Sequence, residues 1–171
     1  MLDGIHKIHL IGIGGSGMRA IANILIQKGY DVSGSDVAES AVISKFRDMG
    51  ATVHIGHNKE YVNGVDAIVR STAIREDNPE IVAAKEQGIT ILHRSDIVKA
   101  VLDVTDGIAV AGAHGKTSTT SMIGQILVEA NADPTLIIGG EVDDLKGSSC
   151  LRKGHFSVVQ ADESDGSVLK L

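Results

Sequence analysis

A glycine-rich stretch in the second half of the chain has the residue types needed to bind a nucleoside triphosphate. Gly112-Ala113-His114-Gly115-Lys116-Thr117-Ser118 follows the apolar run 108–110 and precedes apolar residues at helical spacing, Met122, Ile123, Ile126 and Leu127. In a strand–loop–helix arrangement, backbone N–H groups and the positive end of the helix face bound phosphates. Lys116 would add a charge at the outer phosphates, and the Thr117 hydroxyl would ligate Mg²⁺. The stretch predicts a phosphate-binding loop; the alternative is a structural glycine turn without a ligand.

This loop departs from the common P-loop at one position. The common motif has a glycine five residues before the glycine of Gly-Lys, and Val110 stands there instead. The result is the shorter Gly-x-His-Gly-Lys-Thr. His114 would either contact a phosphate or cap the turn, and the sequence leaves both interpretations open.

A second glycine-rich stretch lies near the start of the chain. Gly12-Ile13-Gly14-Gly15-Ser16-Gly17 matches G-x-G-x-x-G between a predicted strand and a predicted helix. Such a turn lets a diphosphate approach the backbone at the helix N-terminus, so NAD(P), FAD and a nucleotide sugar would all fit. Asp36 ends the next predicted strand, where an acidic residue meets a ribose hydroxyl in dinucleotide folds. The alternatives are a ligand-free tight turn and a solvated Asp36.

An acidic run near the end of the chain indicates a possible cation site. Ala161-Asp162-Glu163-Ser164-Asp165 follows the apolar residues 156–159. Carboxylates at a strand end beside a phosphate loop are the ligands that Mg²⁺ prefers. The alternative is a solvated acidic turn.

Polar residues also follow several strands predicted in the first half. His57, Ser71, Thr72 and Arg94 lie at or just beyond strand ends, which form the ligand crevice of a doubly wound sheet. Taken singly, each is better explained as a surface residue than as a ligand. His6, His9, His93 and His155 lack metal-ligand spacing and are interpreted as structural.

The elements that position these residues alternate between strand and helix. Strands are predicted at 6–11, 31–35, 52–55, 67–69 and 89–92; helices are predicted after the first glycine loop, at 41–49, from Asn78 and at 95–102. This order predicts a Rossmann-like, doubly wound parallel sheet of the α/β class over residues 1–104. Residues 105–171 offer a strand at 108–110, the phosphate loop, a helix to about Asn131, and strands at 135–138 and 156–160. Three strands predict only the first part of a P-loop-type α/β ATPase domain.

Composition restricts the classes of function. The net charge of −6 argues against nonspecific binding to nucleic acid or anionic membranes. Cys150 is the only cysteine, which fits a reducing compartment, and no signal peptide is evident at the amino terminus. We therefore expect a soluble, cytoplasmic protein, with its oligomeric state left open.

Five motifs along essentially the whole chain together resemble one family. They are the first glycine loop with Met18, Val32-Ser33-Gly34-Ser35-Asp36, Ser71-Thr72-Ala73-Ile74 with Asn78-Pro79-Glu80, Ala113-His114-Gly115-Lys116-Thr117, and the acidic run. In this order they resemble the Mur ligase family, and within it the members that join L-alanine to UDP-N-acetylmuramate in peptidoglycan synthesis. The resemblance implies a UDP-sugar-binding domain, an ATPase domain and a third domain that helps to bind the amino acid. It also implies that ATP phosphorylates the lactyl carboxylate and that the amine of L-alanine attacks the resulting acyl phosphate.

The resemblance assigns roles to individual residues. It implies that the diphosphate is held by Gly14, Gly15, Ser16 and Gly17, and that the uridine and sugar-phosphate crevice is lined by Asp36, His57 and Ser71. It implies that ATP is bound by Gly112, Ala113, His114, Gly115, Lys116, Thr117 and Ser118. It further implies that Lys116 and Glu163 are catalytic and that Thr117 and Glu163 ligate Mg²⁺. Ala113 departs mildly from the family, which more often has threonine there.

The length of the chain departs further from the family. The third domain and the rest of the ATPase domain are missing from these 171 residues. We therefore expect the parent protein to be the ligase and this N-terminal fragment to bind the UDP-sugar without turnover. The alternatives are a non-catalytic nucleotide-sugar-binding module and an NAD(P)-dependent oxidoreductase, which would leave the Gly-Lys-Thr loop unexplained.

Overall fold

The computed structural model describes residues 2–138, 149–150 and 154–161. They divide into two compact units, residues 2–94 and the described residues from 95 onward, and each unit is described by itself. The domain boundary predicted after residue 104 stays a prediction.

The first unit is a five-stranded parallel sheet with helices between its strands. Its strands are β1 Lys7–Ile11, β2 Asp31–Asp36, β3 Thr52–Ile55, β4 Ala67–Arg70 and β5 Thr90–His93; its helices are α1 Ser16–Gln27, α2 Ala41–Asp48 and α3 Pro79–Glu86. The strand order is β3-β2-β1-β4-β5, and every pairing is parallel. The order reverses between β1 and β4, which is where doubly wound sheets bind ligands. The predicted Rossmann-like fold is confirmed.

Local sequence signals account for the helix ends of this unit. Gly29, Gly50 and Gly88 follow the three helices with positive φ angles, which glycine adopts without strain. The Asn78 side chain accepts a hydrogen bond from the Glu80 N–H, and Pro79 opens α3. A 3₁₀ turn at Lys59–Val62 interrupts a connection for which only polar character was predicted.

Aliphatic side chains form the core of the first unit. Ile11, Ile68 and Ile81 belong to one buried cluster between the sheet and α3, and Phe46 of α2 is also fully enclosed. Because the strands of a parallel sheet are covered on both faces, most residues of β1 and β4 are apolar and buried. This packing holds the carboxyl ends of β1, β2 and β4 at one edge.

The second unit carries a four-stranded sheet. Its elements are α4 Arg94–Leu102, which begins at the last residue of the first unit, then β6 Asp106–Val110, α5 Lys116–Glu129, β7 Thr135–Ile137, β8 Ser149–Cys150 and β9 Phe156–Gln160. The strand order is β6-β9-β7-β8, with only β7 and β8 antiparallel. Leu136, Ile138 and Val158 form its buried cluster. The Gly-Lys-Thr loop leads from β6 into α5, as predicted.

Two strands of this unit differ from the sequence prediction. β6 begins at Asp106, two residues before the predicted strand at 108–110, because Asp106 pairs with Phe156 and its N–H donates to the His155 carbonyl at 2.7 Å. β8 was not predicted, since a two-residue strand has no periodicity to detect.

Helix α5 packs only part of its predicted apolar face. Ile123 and Leu127 pack against the buried cluster, whereas Met122 and Ile126 are 59% and 67% exposed. Residues one position apart on a helix differ by about 100° in direction, so the two pairs cannot share the sheet-facing side. No helix in the described ranges has the length and apolarity required to cross a membrane.

Candidate functional site

The first glycine loop uses several of its own amides to hold its shape. Gly12 and Ile13 donate to the Ser35 carbonyl at 2.8 and 3.1 Å, and Gly15 donates to the Gly12 carbonyl at 3.0 Å. The Gly14 N–H donates to Asp36 Oδ2 at 2.8 Å. These bonds tie the loop to the end of β2.

The amides that remain for a ligand lie at the start of α1. The first helical bonds are donated by Met18 and Arg19, both to the Gly15 carbonyl at 2.9 Å. The preceding amides, those of Ser16 and Gly17, have no carbonyl partner one turn earlier in the helix. A phosphate at a helix N-terminus meets such N–H groups and the positive end of the helix dipole. Ser16 and Gly17 are therefore better placed to bind a diphosphate than Gly14 and Gly15, whose N–H groups are engaged.

Asp36 has a structural contact that the sequence analysis did not predict. Its carboxylate accepts the Gly14 N–H, a charge-assisted hydrogen bond that fixes the loop. A ribose contact through the other oxygen of Asp36 stays a prediction.

Arg94 lies against the second residue of α1. A Cβ atom added to Gly17 would overlap the Arg94 guanidinium, whose Nη1 is the nearest atom. Gly17 thus allows a cation to approach the helix start, where anions bind. Arg94 directly follows β5, so the chain brings it to the predicted sheet edge.

The other predicted crevice residues lie at the same edge. His57 follows β3, and the preceding Gly56 N–H donates to the Asp36 carbonyl at 2.7 Å. Ser71 follows β4 in a turn closed by a bond from the Ile74 N–H to its carbonyl. The Ile74 side chain in turn lies beside Gly12. The structure therefore brings Asp36, His57 and Ser71 to the carboxyl edge that carries the glycine loop.

A buried carboxylate beneath this edge was missed by the sequence analysis. Glu80, the second residue of α3, has no exposed side-chain area. Its Oε2 accepts from Ser35 Oγ at 2.8 Å and contacts His9 Nε2 at 3.0 Å. Its Oε1 contacts His57 Nδ1 at 2.9 Å and the Asn58 N–H at 3.3 Å. The sequence signal for Glu80 was the Asn78-Pro79-Glu80 motif, which places an acidic residue in the first turn of a helix.

The Glu80 carboxyl is held in its charged form. Burial raises its pKa, but hydrogen bonds from His9, Ser35 and His57 and the positive charge of His9 outweigh burial, so the pKa lies below its ordinary value. The interpretation of His9 as structural is consistent with its full burial.

In the second unit, the Gly-Lys-Thr loop leads into the start of α5. Gly115 precedes α5 in the left-handed conformation, with φ of 76°, which favours glycine. The Lys116 ammonium donates to the Gly112 carbonyl at 2.6 Å and so lies back over the loop. Ala113, His114 and Ser118 are exposed. The loop presents its polar groups at the surface of its own unit.

Thr117 contacts a residue that the sequence analysis did not single out. Its Oγ1 donates to Gln160 Oε1 at 3.1 Å, at the end of β9. Among the residues that the structure describes, no group of three or more histidine, cysteine, aspartate or glutamate side chains could hold a metal. Glu163, predicted as a Mg²⁺ ligand and catalytic residue, lies outside the described residues, and its role stays a prediction.

Comparison with known proteins identifies the family. The sequence profile described as "Mur ligase family, catalytic domain" matches residues 7–104, more than half of the chain. The chain belongs to the Mur ligase family.

Curated relatives and solved structures agree with this membership. The chain is 46% identical over 167 residues to a UDP-N-acetylmuramate–L-alanine ligase from Sulfurihydrogenibium sp., and this match covers 98% of the chain and 37% of the relative. It is 48% identical to the protein of that name from Desulfotalea psychrophila, covering 97% of the chain and 36% of the relative. The UDP-N-acetylmuramate-alanine ligase of Thermotoga maritima is similar in structure, with a TM-score of 0.83, 32% identity, and coverage of 90% of this chain and 37% of that one.

The matched Mur ligases are much longer than this chain. It spans about 37% of the length of the curated relatives. A UDP-N-acetylmuramate:L-alanyl-gamma-D-glutamyl-meso-diaminopimelate ligase from Neisseria meningitides also shares the fold, with a TM-score of 0.87 and 27% identity over 94% of this chain and 53% of that one. Family and fold thus agree with the sequence resemblance.

Proposed function

We propose that this chain is the N-terminal part of a Mur ligase that joins L-alanine to UDP-N-acetylmuramate with consumption of ATP. The observation that carries the proposal is a glycine loop in each unit, leading from a parallel strand into a helix. Two such loops suit a reaction with two phosphate-bearing substrates. An NAD(P)-dependent oxidoreductase has no use for the second loop.

The first unit is proposed to bind the UDP-sugar. The diphosphate would accept hydrogen bonds from the Ser16 and Gly17 amides, while Gly14 and Gly15 shape the loop and Asp36 holds it. His57 and Ser71 would contact the nucleoside and sugar from the same sheet edge. Binding at this crevice is supported by its place at the reversal of strand order.

The second unit is proposed to bind the phosphates of ATP. The left-handed Gly115, the Lys116 ammonium and the Thr117 hydroxyl have the chemistry of a phosphate loop. Lys116 would leave the Gly112 carbonyl to contact the outer phosphates, offsetting the charge that develops during transfer. Gly112, Ala113, His114 and Ser118 complete the proposed ATP contact.

The loop supplies one of the two proposed magnesium ligands. Thr117 would supply a hydroxyl ligand, and Glu163 would supply a carboxylate. When bound, Mg²⁺ neutralises phosphate charge and orients the transferred group. Lys116 and Glu163 would thus be the catalytic residues of the phosphorylation step, in which positioning and charge stabilisation dominate.

The proposed setting is the cytoplasm. The single cysteine fits a reducing compartment, and the net charge of −6 does not favour nucleic acid or an anionic membrane as partner. The proposed partners are the small substrates UDP-N-acetylmuramate and L-alanine.

Calorimetric titration of the 171-residue chain tests the proposal. UDP-N-acetylmuramate, NADH and Mg-ATP are titrated separately, and we expect heat of binding with the UDP-sugar and none with NADH. Tight NADH binding with no response to the UDP-sugar would overturn the assignment. A parallel phosphate-release assay tests turnover, which we expect only from the full-length ligase; L-alanine-dependent ATP hydrolysis by this chain would contradict that expectation.

A further inference from the structure

Four groups contact the carboxylate of the buried Glu80 side chain. His9 and Ser35, both fully buried, bond to Oε2. His57 and the Asn58 amide occupy Oε1. A buried carboxylate needs hydrogen-bond donors, and His9 and Ser35 supply two within the core. The His57 contact differs because it extends to a residue at the sheet edge.

The contact with Glu80 determines which nitrogen of His57 carries a proton. A charged carboxylate only accepts hydrogen bonds, and the lowered pKa of Glu80 keeps it charged. Nδ1 must therefore be the donor at 2.9 Å. Ser35 Oγ, which donates its own proton to Glu80, lies 3.2 Å from the same nitrogen and can accept from it.

The second nitrogen of His57 is left for another partner. Within the described residues, Nε2 has no hydrogen-bond partner, and 21% of the side chain is exposed. His57 follows β3 next to the end of β2, beside the Asp36 that holds the glycine loop. With its proton on Nδ1, a neutral imidazole presents Nε2 as an acceptor.

We propose that Glu80 is a positioning residue of the UDP-sugar crevice: it holds His57 in the Nδ1–H tautomer, so that Nε2 accepts a hydrogen bond from a hydroxyl or imide N–H of the nucleoside. This inference rests on the proposed function for the ligand, but the tautomer is a property of the free chain. The carboxylate acts through His57 and does not touch the ligand.

Imidazole nitrogen NMR of the ¹⁵N-labelled free chain tests the first half of the proposal. In mildly alkaline buffer, we expect His57 to show a protonated Nδ1 and an unprotonated Nε2. In Glu80→Gln, which keeps the side-chain volume but removes the charge, the Nε2–H tautomer should gain population. A His57 that carries its proton on Nε2 in the unsubstituted chain overturns the inference without any variant.

Titration with UDP-N-acetylmuramate tests the second half. Losing one hydrogen bond of about 0.5–1.5 kcal/mol raises Kd roughly 2- to 12-fold, and we expect this in both Glu80→Gln and His57→Gln. The double variant should lose no more than either single one, because both act through the same contact. Additive losses would show that Glu80 acts independently of His57, and an unchanged Kd in Glu80→Gln would likewise contradict the proposal.

His9→Gln is the matched control. His9 contacts the same carboxylate from inside the core, so its loss should lower the unfolding midpoint while leaving Kd and the His57 tautomer near their original values. If His9→Gln weakens binding as much as Glu80→Gln does, Glu80 has only a structural role. If the unsubstituted chain does not bind the UDP-sugar yet shows the Nδ1–H tautomer, the proposed function fails while the inferred role of Glu80 in orienting His57 stands.

Discussion

Replacing Gly17 with alanine should separate the stability of the glycine loop from its binding of a diphosphate. Gly17 is the second residue of α1 and has no positive φ angle, so alanine fits its backbone. The added Cβ would take the space of the Arg94 guanidinium. The guanidinium is the far end of a long, flexible side chain, so it can shift to make room for the methyl group.

The substitution should preserve or raise the free energy of unfolding but weaken the binding of UDP-N-acetylmuramate. Alanine is favoured over glycine in helices by at most about 1 kcal/mol, so the free energy of unfolding should stay level or rise. We expect the Arg94 guanidinium, which lies beside the start of α1, to donate a charged hydrogen bond to a diphosphate bound there. Displacing it would then cost about 1.5–3 kcal/mol of binding free energy. This loss corresponds to a roughly 10- to 140-fold higher Kd for UDP-N-acetylmuramate.

Calorimetric titration combined with urea unfolding measures both quantities. Arg94→Ala should reproduce the loss of affinity, and Gly17→Ala combined with Arg94→Ala should weaken binding no further. Lys45→Ala removes one exposed positive charge from the same unit and controls for a general effect of charge. A Gly17→Ala chain that binds with unchanged affinity would refute the role given to Arg94, and loss of stability would refute the argument about the backbone.

Three further outcomes are expected. Gln160→Glu should strengthen Mg²⁺-dependent ATP binding, because a carboxylate would replace the amide that contacts the Thr117 hydroxyl. Equal Kd values for the variant and the unsubstituted chain in the presence of Mg²⁺ would contradict this. Gly34→Ala should lower the free energy of unfolding by about 1–3 kcal/mol, since the added Cβ would lie 2.8–2.9 Å from Ile13 and from the Leu10 carbonyl. Urea unfolding measures the loss, and an unchanged stability would show that the loop can shift. Backbone hydrogen bonds from Lys7 and His6 lower the pKa of Asp66 from its ordinary 3.8, so the charged carboxylate stabilises the fold above pH 3.8 and this effect is lost as pH falls through the lower pKa of the folded chain. Asp66→Asn should therefore lose less thermal stability on acidification than the unsubstituted chain, measured by circular dichroism. Identical acid profiles for the two chains would exclude the effect.

Much of the fold could be predicted because its signals are local. The strands and helices of the first unit follow from apolar runs and helical spacing, and a positive-φ glycine follows each of its three helices. Both glycine loops occur between a strand and a helix, as their motifs require. The exposed Met122 and Ile126 mark the limit of such reasoning, because a helical pattern does not say which side meets the sheet.

The partners of the site residues could not be predicted in the same way. His9 and Glu80 are 71 residues apart, and Thr117 and Gln160 are 43 apart. The Asn78-Pro79-Glu80 motif predicts a helix start but not the partners of Glu80, and Gln160 has no local signal of its contact with Thr117. Hydrogen bonds over such separations exist only after the sheets have brought their strand ends together.

The sequence by itself determined the family, the order of strands and helices apart from β8, and the two phosphate-type loops, because glycine positions, apolar spacing and capping residues act within a few residues of the chain. Tertiary structure decided which side chains contact the first loop and the sheet edge beside it. It engaged the Gly14 amide with Asp36, placed Arg94 beside Gly17, and buried Glu80 beneath His57. The physical reason is that the fold fixes which backbone amides already have an acceptor in the chain, and those amides are less available to a ligand.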